Sequence, residues 1–390
     1  MSTRNALTRL ALLALLALAC ASGCSSPTTA AGSSPSASTG AASTRAASTG
    51  AASNRWTART VLRESATEMA ADQVADPRAS AVFALVAGSS LAAQGPLVVQ
   101  RNGIKDGSVR HGPKVPAGGL SLAAGYLWVS EPARAGQAVL VQLDPRTLAV
   151  VRTLRVPAAG SAGHPLAGVV AGPGGSVWAA GSRSLLRISP ATGAVLSQVG
   201  LPAGLVISGL AADPAGRYLY VSAARAAAGG GVVGAEVLEY SARSGRLLAR
   251  TARVPVSYSV AGAELTAAPG GVWASIRTGM LGLTFLLRGS GLAAAPLPGV
   301  NSSPAPPAGG IFHHAMGAVT VYGGGALWLA SGSGVVACLS PQTGQVRART
   351  GLPAMGPSDR LLAADPAAHV VYAVGRAGVI AITPPAGCWA

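Results

Sequence analysis

Five histidines, four cysteines and thirteen carboxylates are the side chains of this 390-residue chain that could do acid–base, metal or redox chemistry. A cluster drawn from His111, His164, His313 and His314 would offer metal binding or proton transfer near neutral pH. His369 stands apart from them in the chain. Glu131 is the best single candidate for an acid–base role, with His314 as a second group, and Arg134 and Arg183 could line the same polar mouth. The carboxylates never cluster, so an all-oxygen metal cage is not expected. No G-x-S-x-G, S-x-x-K or H-E-x-x-H is present, and no phosphate-cradling glycine loop opens a helix after a strand. No catalytic residue is therefore assigned outright, and no metal or cofactor is implied. The bland account of these histidines and charges is a set of solvated loop residues.

What would position these residues is a repeat. Aromatics make up only 4% of the chain, yet six of them are Trp. Phe83, Trp128, Trp178, Tyr220, Trp273, Trp328 and Tyr372 recur at intervals of 42 to 55 residues, each inside an apolar stretch that follows a Gly- or Pro-rich turn. VAGPGGSVWAAG (170–181) and TAAPGGVWASI (266–276) are two instances. A second text follows each aromatic: a strand, a turn such as Asp-Pro or Thr-Gly, and another strand. It reads VLVQLDPRTLAVVRTLRVP at 139–157 and LLRISPATGAVLSQVGLP at 185–202. Those turn residues supply the fixed φ and the positive φ that tight connections need. Four short strands, a to d, recur in about 48 residues, which is the period of a β-propeller blade.

The expected fold is thus all-β, a seven-bladed propeller over residues 55–390, each blade packing both faces on its neighbours. The last blade runs out of chain after three strands. Thr57–Leu62 resembles the outer-strand text VVRTLRVP at 150–157 and could close the ring, which removes an exposed edge. The weak point is the first unit. Glu64–Asp76 also reads as an amphipathic helix, and that unit lacks a clear turn between its strands c and d. Six blades with an N-terminal cap is the alternative.

The N-terminus reads as a signal peptide over residues 1–23: Arg4 and Arg9, then an apolar run from Leu10 to Ala19, too short to span a bilayer. Ala21-Ser22-Gly23-Cys24 resembles the bacterial lipobox, which implies diacylation of Cys24; Cys20 is a weaker rival, and ordinary cleavage to a secreted protein is the alternative. Residues 24–54 are nearly all Ser, Ala, Thr and Gly and read as a disordered tether. The chain is therefore expected to be exported and lipid-anchored to the outer face of the cell membrane. Beyond the leader, Cys338 and Cys388 remain for a disulfide in an oxidising compartment, with two separately buried thiols as the alternative. The formal net charge is +16, and of the 29 basic residues only Lys105 and Lys114 are lysine. The arginines are scattered, which fits compositional background as well as an anionic partner. Nucleic acid is not expected as a partner of an exported chain, and nothing suggests more than a monomer.

GGSVWAAG at 174–181 and ISPATGAVL at 188–196 resemble bacterial seven-bladed propellers of the streptogramin-lyase and surface-layer (YVTN-type) groups. The resemblance covers roughly residues 65–390 and implies the propeller fold. The Glu that often follows the strand-b aromatic in the lyase group occurs here only at Glu131, and a blade-opening histidine only at His313-His314, so the lyase activity is not implied. In a propeller, ligands sit at the mouth of the central channel, on the face built by the b–c connections and the loops entering strand a. His111, His164, His313 and His314 are expected in or near those entering loops, and Glu131, Arg134 and Arg183 in b–c segments. The expected function is a binding or interaction module for an extracytoplasmic ligand or envelope partner. A propeller enzyme (lyase, lactonase or hydrolase) using the same mouth is the alternative.

Overall fold

The structure, a computed structural model, describes residues 55–389 apart from 64–68, 88–95, 117, 135, 158–167, 227–231, 252–259, 270, 279–280, 289–291, 296–311, 315–317, 332–334, 352–360 and 376–377. Alternating Val, Leu and Ala with few long polar side chains make its strands short and two-faced. Sheet 1 contains β2 (Met69–Asp76), β3 (Ala81–Ala87), β4 (Leu97–Gly103) and β5 (Val109–Val115). Sheet 2 contains β6 (Gly119–Ala123), β7 (Tyr126–Arg134), β8 (Gln137–Leu143) and β9 (Val150–Pro157). Sheet 3 follows with β10 (Gly168–Ala171), β11 (Val177–Ala180), β12 (Ser184–Ile188) and β13 (Val195–Gly200). Sheet 4 has β14 (Leu205–Ala212), β15 (Tyr218–Ala226), β16 (Val232–Ser241) and β17 (Leu247–Arg250).

Sheet 5 is the irregular one. It has β18 (Val260–Ala268), β19 (Gly271–Thr278), β20 (Leu281–Arg288) and a short β21 (Ala293–Ala295), and β22 (Phe312–His314) also pairs with β20. Sheet 6 has β23 (Ala318–Gly323), β24 (Ala326–Ser331), β25 (Val335–Leu339) and β26 (Val346–Gly351). Sheet 7 combines β27 (Leu361–Asp365), β28 (Val370–Gly375) and β29 (Gly378–Thr383) with β1 (Thr57–Arg63), the first strand among the described residues. The pairing of β1 with β29 runs from Thr57 opposite Thr383 to Arg63 opposite Gly378, with one bulge between Thr60 and Leu62. The N-terminal strand thus stands in the outer position of a sheet whose other strands come from the far end of the sequence, as expected.

All these ladders are antiparallel, and the fold is an all-β propeller of four-stranded antiparallel blades. Its sheets cohere because no sheet can bury both faces alone. The strand-b aromatic of each sheet crosses the seam to the next. Phe83 packs with Leu127 and Val129, Trp128 with Val177 and Ala179, and Trp178 with Leu219 and Val221. Tyr220 packs with Val272 and Ala274, Trp273 with Leu327 and Leu329, and Trp328 with Val371 and Ala373. Tyr372 then reaches Ala75 and Val82 of sheet 1. An aromatic side chain carries roughly 150–250 Å² into such a seam.

One turn design recurs between strands c and d. In sheet 3 the Gly193 amide donates to the Ser189 carbonyl, and sheets 4 and 6 repeat this with Gly245 on Ser241 and Gly344 on Ser340. Each glycine has a φ of 70° to 77°, which the absence of a Cβ makes cheap. Sheet 2 departs from this: Leu148 stands in the same position at φ 60° and is buried beside Phe83 and Val99. Its burial offsets the left-handed backbone.

Two features of sheet 1 differ from expectation. Met69–Asp76 is a strand, not part of a helix, because pairing along β3 overrides the local amphipathic period. Its c–d connection is a real turn in which the Gly103 amide donates to the Ser108 carbonyl and Gly107 takes φ 63°, built without the Pro or Thr-Gly of sheets 2, 3 and 6. The C-terminus is pinned as well. Cys388 forms a disulfide with Cys338 of β25, at a Cα separation of 5.8 Å.

Candidate functional site

In an up-and-down sheet whose innermost strand is a, the b–c connections share one face of the disc and the a–b and c–d turns share the other. The channel-mouth candidates belong to the first face. Glu131 lies in β7 opposite Val139 and is half-buried; Arg134 closes β7, with its backbone opposite Gln137. Arg183 is exposed in the b–c turn of sheet 3, where its carbonyl accepts the Leu201 amide at 3.0 Å. His164 lies outside the described residues.

The other candidate histidines lie on outer strands that lead into the loops entering strand a. His111 sits within β5, the outermost strand of sheet 1, exposed and opposite Gln100, and not in a loop entering strand a. The sequence VRHGPKV looked like a loop because of Gly112 and Pro113, but an outer strand tolerates Pro, whose missing N–H faces no partner. His313 and His314 form β22 on the outer edge of sheet 5, opposite Leu283 and Gly282. His111, Glu131 and the His313–His314 pair therefore stand on three different sheets. Among the described residues no group of His, Cys, Asp and Glu could hold a metal ion. His369 does acquire a ring partner: it stacks on Trp389 at 5.5 Å in the a–b turn of sheet 7.

Two charged constellations were not foreseen. Glu236 on β16 is only 2% exposed, with Arg250 at 2.7 Å and Arg225 at 3.3 Å. The two arginines flank it from β17 and β15, so one buried carboxylate is held by two half-exposed cations. On the opposite side of the same sheet, Glu239 stands across from Tyr220. Burial, and secondarily the nearby Asp213, pushes the Glu239 carboxyl above its usual range. Burial likewise pushes the Tyr220 phenol up. Strand register alone brings these residues together, so linear spacing gave no signal for them.

The a–b and c–d turn face carries the largest described openings. A cleft of about 880 Å³ runs across the turns of sheets 7, 1 and 2, lined by Asp76, Arg78, Lys105, Tyr126 and Asp365 among others. A second, of about 780 Å³, shares Asp76, Arg78, Gly125 and Pro145 with it and adds Arg101, Arg110 and Arg146. The carboxylates here are occupied by their own turns. Asp76 accepts the Arg78 amide at 3.0 Å, and Asp365 accepts the Ala367 and Ala368 amides at 3.1 Å. Asp106 accepts the Ser108 amide and hydroxyl, which hold its carboxyl below the ordinary range. Asp144 accepts the Thr147 amide and hydroxyl and the Arg146 amide, to the same effect. The cations Arg78, Lys105, Arg110 and Arg146 are exposed. Among the described residues the salt bridges use Arg217, Arg225 and Arg250, and none of these four. Four exposed cations thus stand beside carboxylates whose oxygens their own turns engage.

The fold and these open, charged faces define a β-propeller. No family model matches the chain, and no curated protein matches it. Among solved structures, Kuenenia stuttgartiensis hydrazine synthase is similar over 81% of this chain and 96% of that chain, at 13% identity and a TM-score of 0.54. BamB from Moraxella catarrhalis is similar over 83% of this chain and 85% of that one, at 14% identity and a TM-score of 0.48. The likeness to hydrazine synthase is one of fold alone.

Proposed function

We propose that this protein is an exported, lipid-tethered propeller that works as a binding module, contacting an anionic extracytoplasmic partner through its a–b and c–d turn face. The ring is read as seven blades, each sheet counted once with β1 completing the last. Support for that count comes from the unbroken succession of seam aromatics, from Phe83 to Tyr372 and back to Ala75. Cys24 is the proposed acylation site, with residues 24–54 as the tether; a Cys24→Ala chain moves from the membrane fraction to the soluble one.

One observation carries the binding role. In the joined clefts over sheets 7, 1 and 2, turn amides occupy the carboxylates while Arg78, Lys105, Arg110 and Arg146 face solvent. The carboxylates Asp76, Asp106, Asp144 and Asp365 stay charged but have their oxygens engaged by the turns, and the cations Arg78, Arg101, Lys105, Arg110 and Arg146 outnumber them, so the surface favours an anion by a small margin of charge and by its free donors. The test uses soluble anions: inorganic phosphate, citrate and polyphosphate are titrated against the full chain while its melting temperature is followed. A ligand that binds only the native state raises that temperature. At least one anion should do so, and the doubly substituted Arg78→Ala/Arg146→Ala chain should lose the effect. No shift with any of the three defeats the reading.

A further inference from the structure

Among the described residues the exposed large apolar side chains are not scattered: all but Val206, on β14, fall in one kind of place. Val109, the pair Val150–Val151, the pair Val195–Leu196 and the pair Leu247–Leu248 have 36% to 54% of their surface exposed. Each is at the very start of an outermost strand, β5, β9, β13 or β17, directly after a c–d turn. Successive residues of a strand point to opposite faces, so a pair with both members exposed marks a sheet corner that neither neighbouring sheet covers. Four consecutive sheets thus place their apolar corners along one arc, at the margin of the turn face.

Charge follows the same margin. The outermost strands β1, β5, β9, β17 and β26 carry arginine and lysine but no aspartate or glutamate. At the turns of sheets 1, 2 and 4 stand the exposed cations Lys105, Arg110, Arg146, Arg243 and Arg246, which outnumber the carboxylates Asp106 and Asp144 there; the turn of sheet 3 is uncharged. The chain also enters the domain on this face. Thr57, the first residue of β1, is opposite Thr383, the last residue of β29, and that strand c ends where the c–d turns lie. Whatever precedes Arg55 is joined to the domain there. A tether of some thirty residues has a root-mean-square reach of roughly 30 Å.

We propose that the turn face docks on an anionic lipid bilayer. The Val and Leu pairs enter the headgroup boundary, and the turn cations meet the lipid phosphates. This rests on the reading of the turn face as the binding surface and names its partner. Cations flanking exposed apolar residues are the combination that holds proteins on anionic membranes, where a lipid chain and a basic patch act together. A hydrated anionic polymer would satisfy the arginines but give the Val and Leu pairs no apolar phase to enter. A second copy of the chain would bring one basic margin against another.

The experiment is co-sedimentation of the full chain carrying Cys24→Ala, so that no lipid anchor contributes. One set of vesicles is phosphatidylcholine alone; the other contains phosphatidylglycerol as about a third of the lipid. The chain should partition onto the phosphatidylglycerol vesicles, release in high salt, and bind the neutral vesicles weakly. Leu196→Ser/Leu248→Ser and Arg243→Ala/Arg246→Ala should each lower the partition coefficient about tenfold. These side chains are exposed, so both variants should keep the parental melting temperature, and one that loses it is replaced by Val151→Ser/Leu196→Ser. Equal binding to both vesicle types, or retention by both variants, overturns the proposal. If polyphosphate still raises the melting temperature while vesicles are ignored, the binding role stands and the bilayer is the wrong partner. If Leu196→Ser/Leu248→Ser weakens neither vesicle nor polyphosphate binding, the partner is a hydrated polymer.

Discussion

The seam between sheets 6 and 7 and the seam between sheets 2 and 3 bury the same kind of residue but are held differently. Trp128 and Trp328 each donate the indole N–H to a carbonyl of their own sheet, Ala123 and Gly323, but at the 2–3 seam two local polar contacts also cross over. Val169 donates its amide to the Ser121 hydroxyl, and Arg152 donates to the Ala191 carbonyl at 2.6 Å. At the 6–7 seam both ends of the domain are brought in. Trp56, just before β1, meets Trp328 edge-on at 6.4 Å, and Trp389 lies 4.6 Å from the same ring. The disulfide then fixes the tail to β25. Sheets made from consecutive strands pay little loop-closure entropy, whereas sheet 7 joins residues more than 300 positions apart. Extra aromatic contact and a covalent bond are concentrated where chain continuity gives least help.

Truncating the two central tryptophans tests that contrast with the largest effect. Trp328→Ala should destabilise by about 3–5 kcal/mol from lost transfer and the cavity left behind. Trp128→Ala should lose the same burial but only one ring contact, to Tyr126. The Trp328 variant should therefore be the worse by about 1 kcal/mol, the worth of an aromatic pair. Denaturant unfolding of both reads the difference, and equal losses would remove any special role for the closure seam.

Breaking the disulfide comes next. Cys338 and Cys388 are separated by 50 positions, so Cys388→Ser should cost about 2–4 kcal/mol. Reductant should lower the melting temperature of the parent protein by the same amount and leave the variant unmoved. A parent protein insensitive to reductant would mean that the tail is held by Trp389 alone.

The same contrast shows what was legible in the sequence. The strand-b aromatics and the Pro- and Thr-Gly-bearing turns recur because each sheet solves the same packing problem, so they could be read from one chain. The place of β1 was legible too, since TARTVLRE carries outer-strand text. What could not be read depended on register. Glu236 meets Arg225 and Arg250 only because three strands align, and nothing in their spacing announces it. His111 looked like a loop residue because Gly112 and Pro113 mask an edge strand. The apolar corner pairs were in view as ordinary strand residues, and only the uncovered sheet corners make them a surface.

A smaller effect tests how the ordinary seams are held near the channel. Asp72 accepts the Leu120 amide at 2.7 Å, a charge-assisted bond from strand a of sheet 1 to strand a of sheet 2. Asp72→Ala should destabilise by about 1.5–3 kcal/mol. It should also raise amide exchange at Leu120 while leaving Val169, whose partner is Ser121, protected. Exchange rising equally at both positions would show that the ring loosens as a whole and that seams are not independently strapped.

The smallest effects are pH-dependent and set the inside of a seam against the turn face. Glu239, facing Tyr220 between sheets 4 and 5, has its carboxyl raised by burial and by Asp213. Between its ordinary value and that raised value the folded protein binds the proton more tightly than the unfolded chain, so stability falls as pH rises through this window. Glu239→Gln should therefore stabilise at neutral pH, and the gain should vanish as pH drops below the usual carboxylate range. Asp144 is the opposite case: turn amides hold its carboxyl low. Its contribution is present above the ordinary value and lost as pH falls through the lowered one. Asp144→Asn should weaken the protein slightly at neutral pH and make no difference in acid. Melting temperatures of the two variants against pH, taken relative to the parent, should slope in opposite directions. Parallel slopes would mean that burial at Glu239 is relieved by water and that the 4–5 seam is not dry.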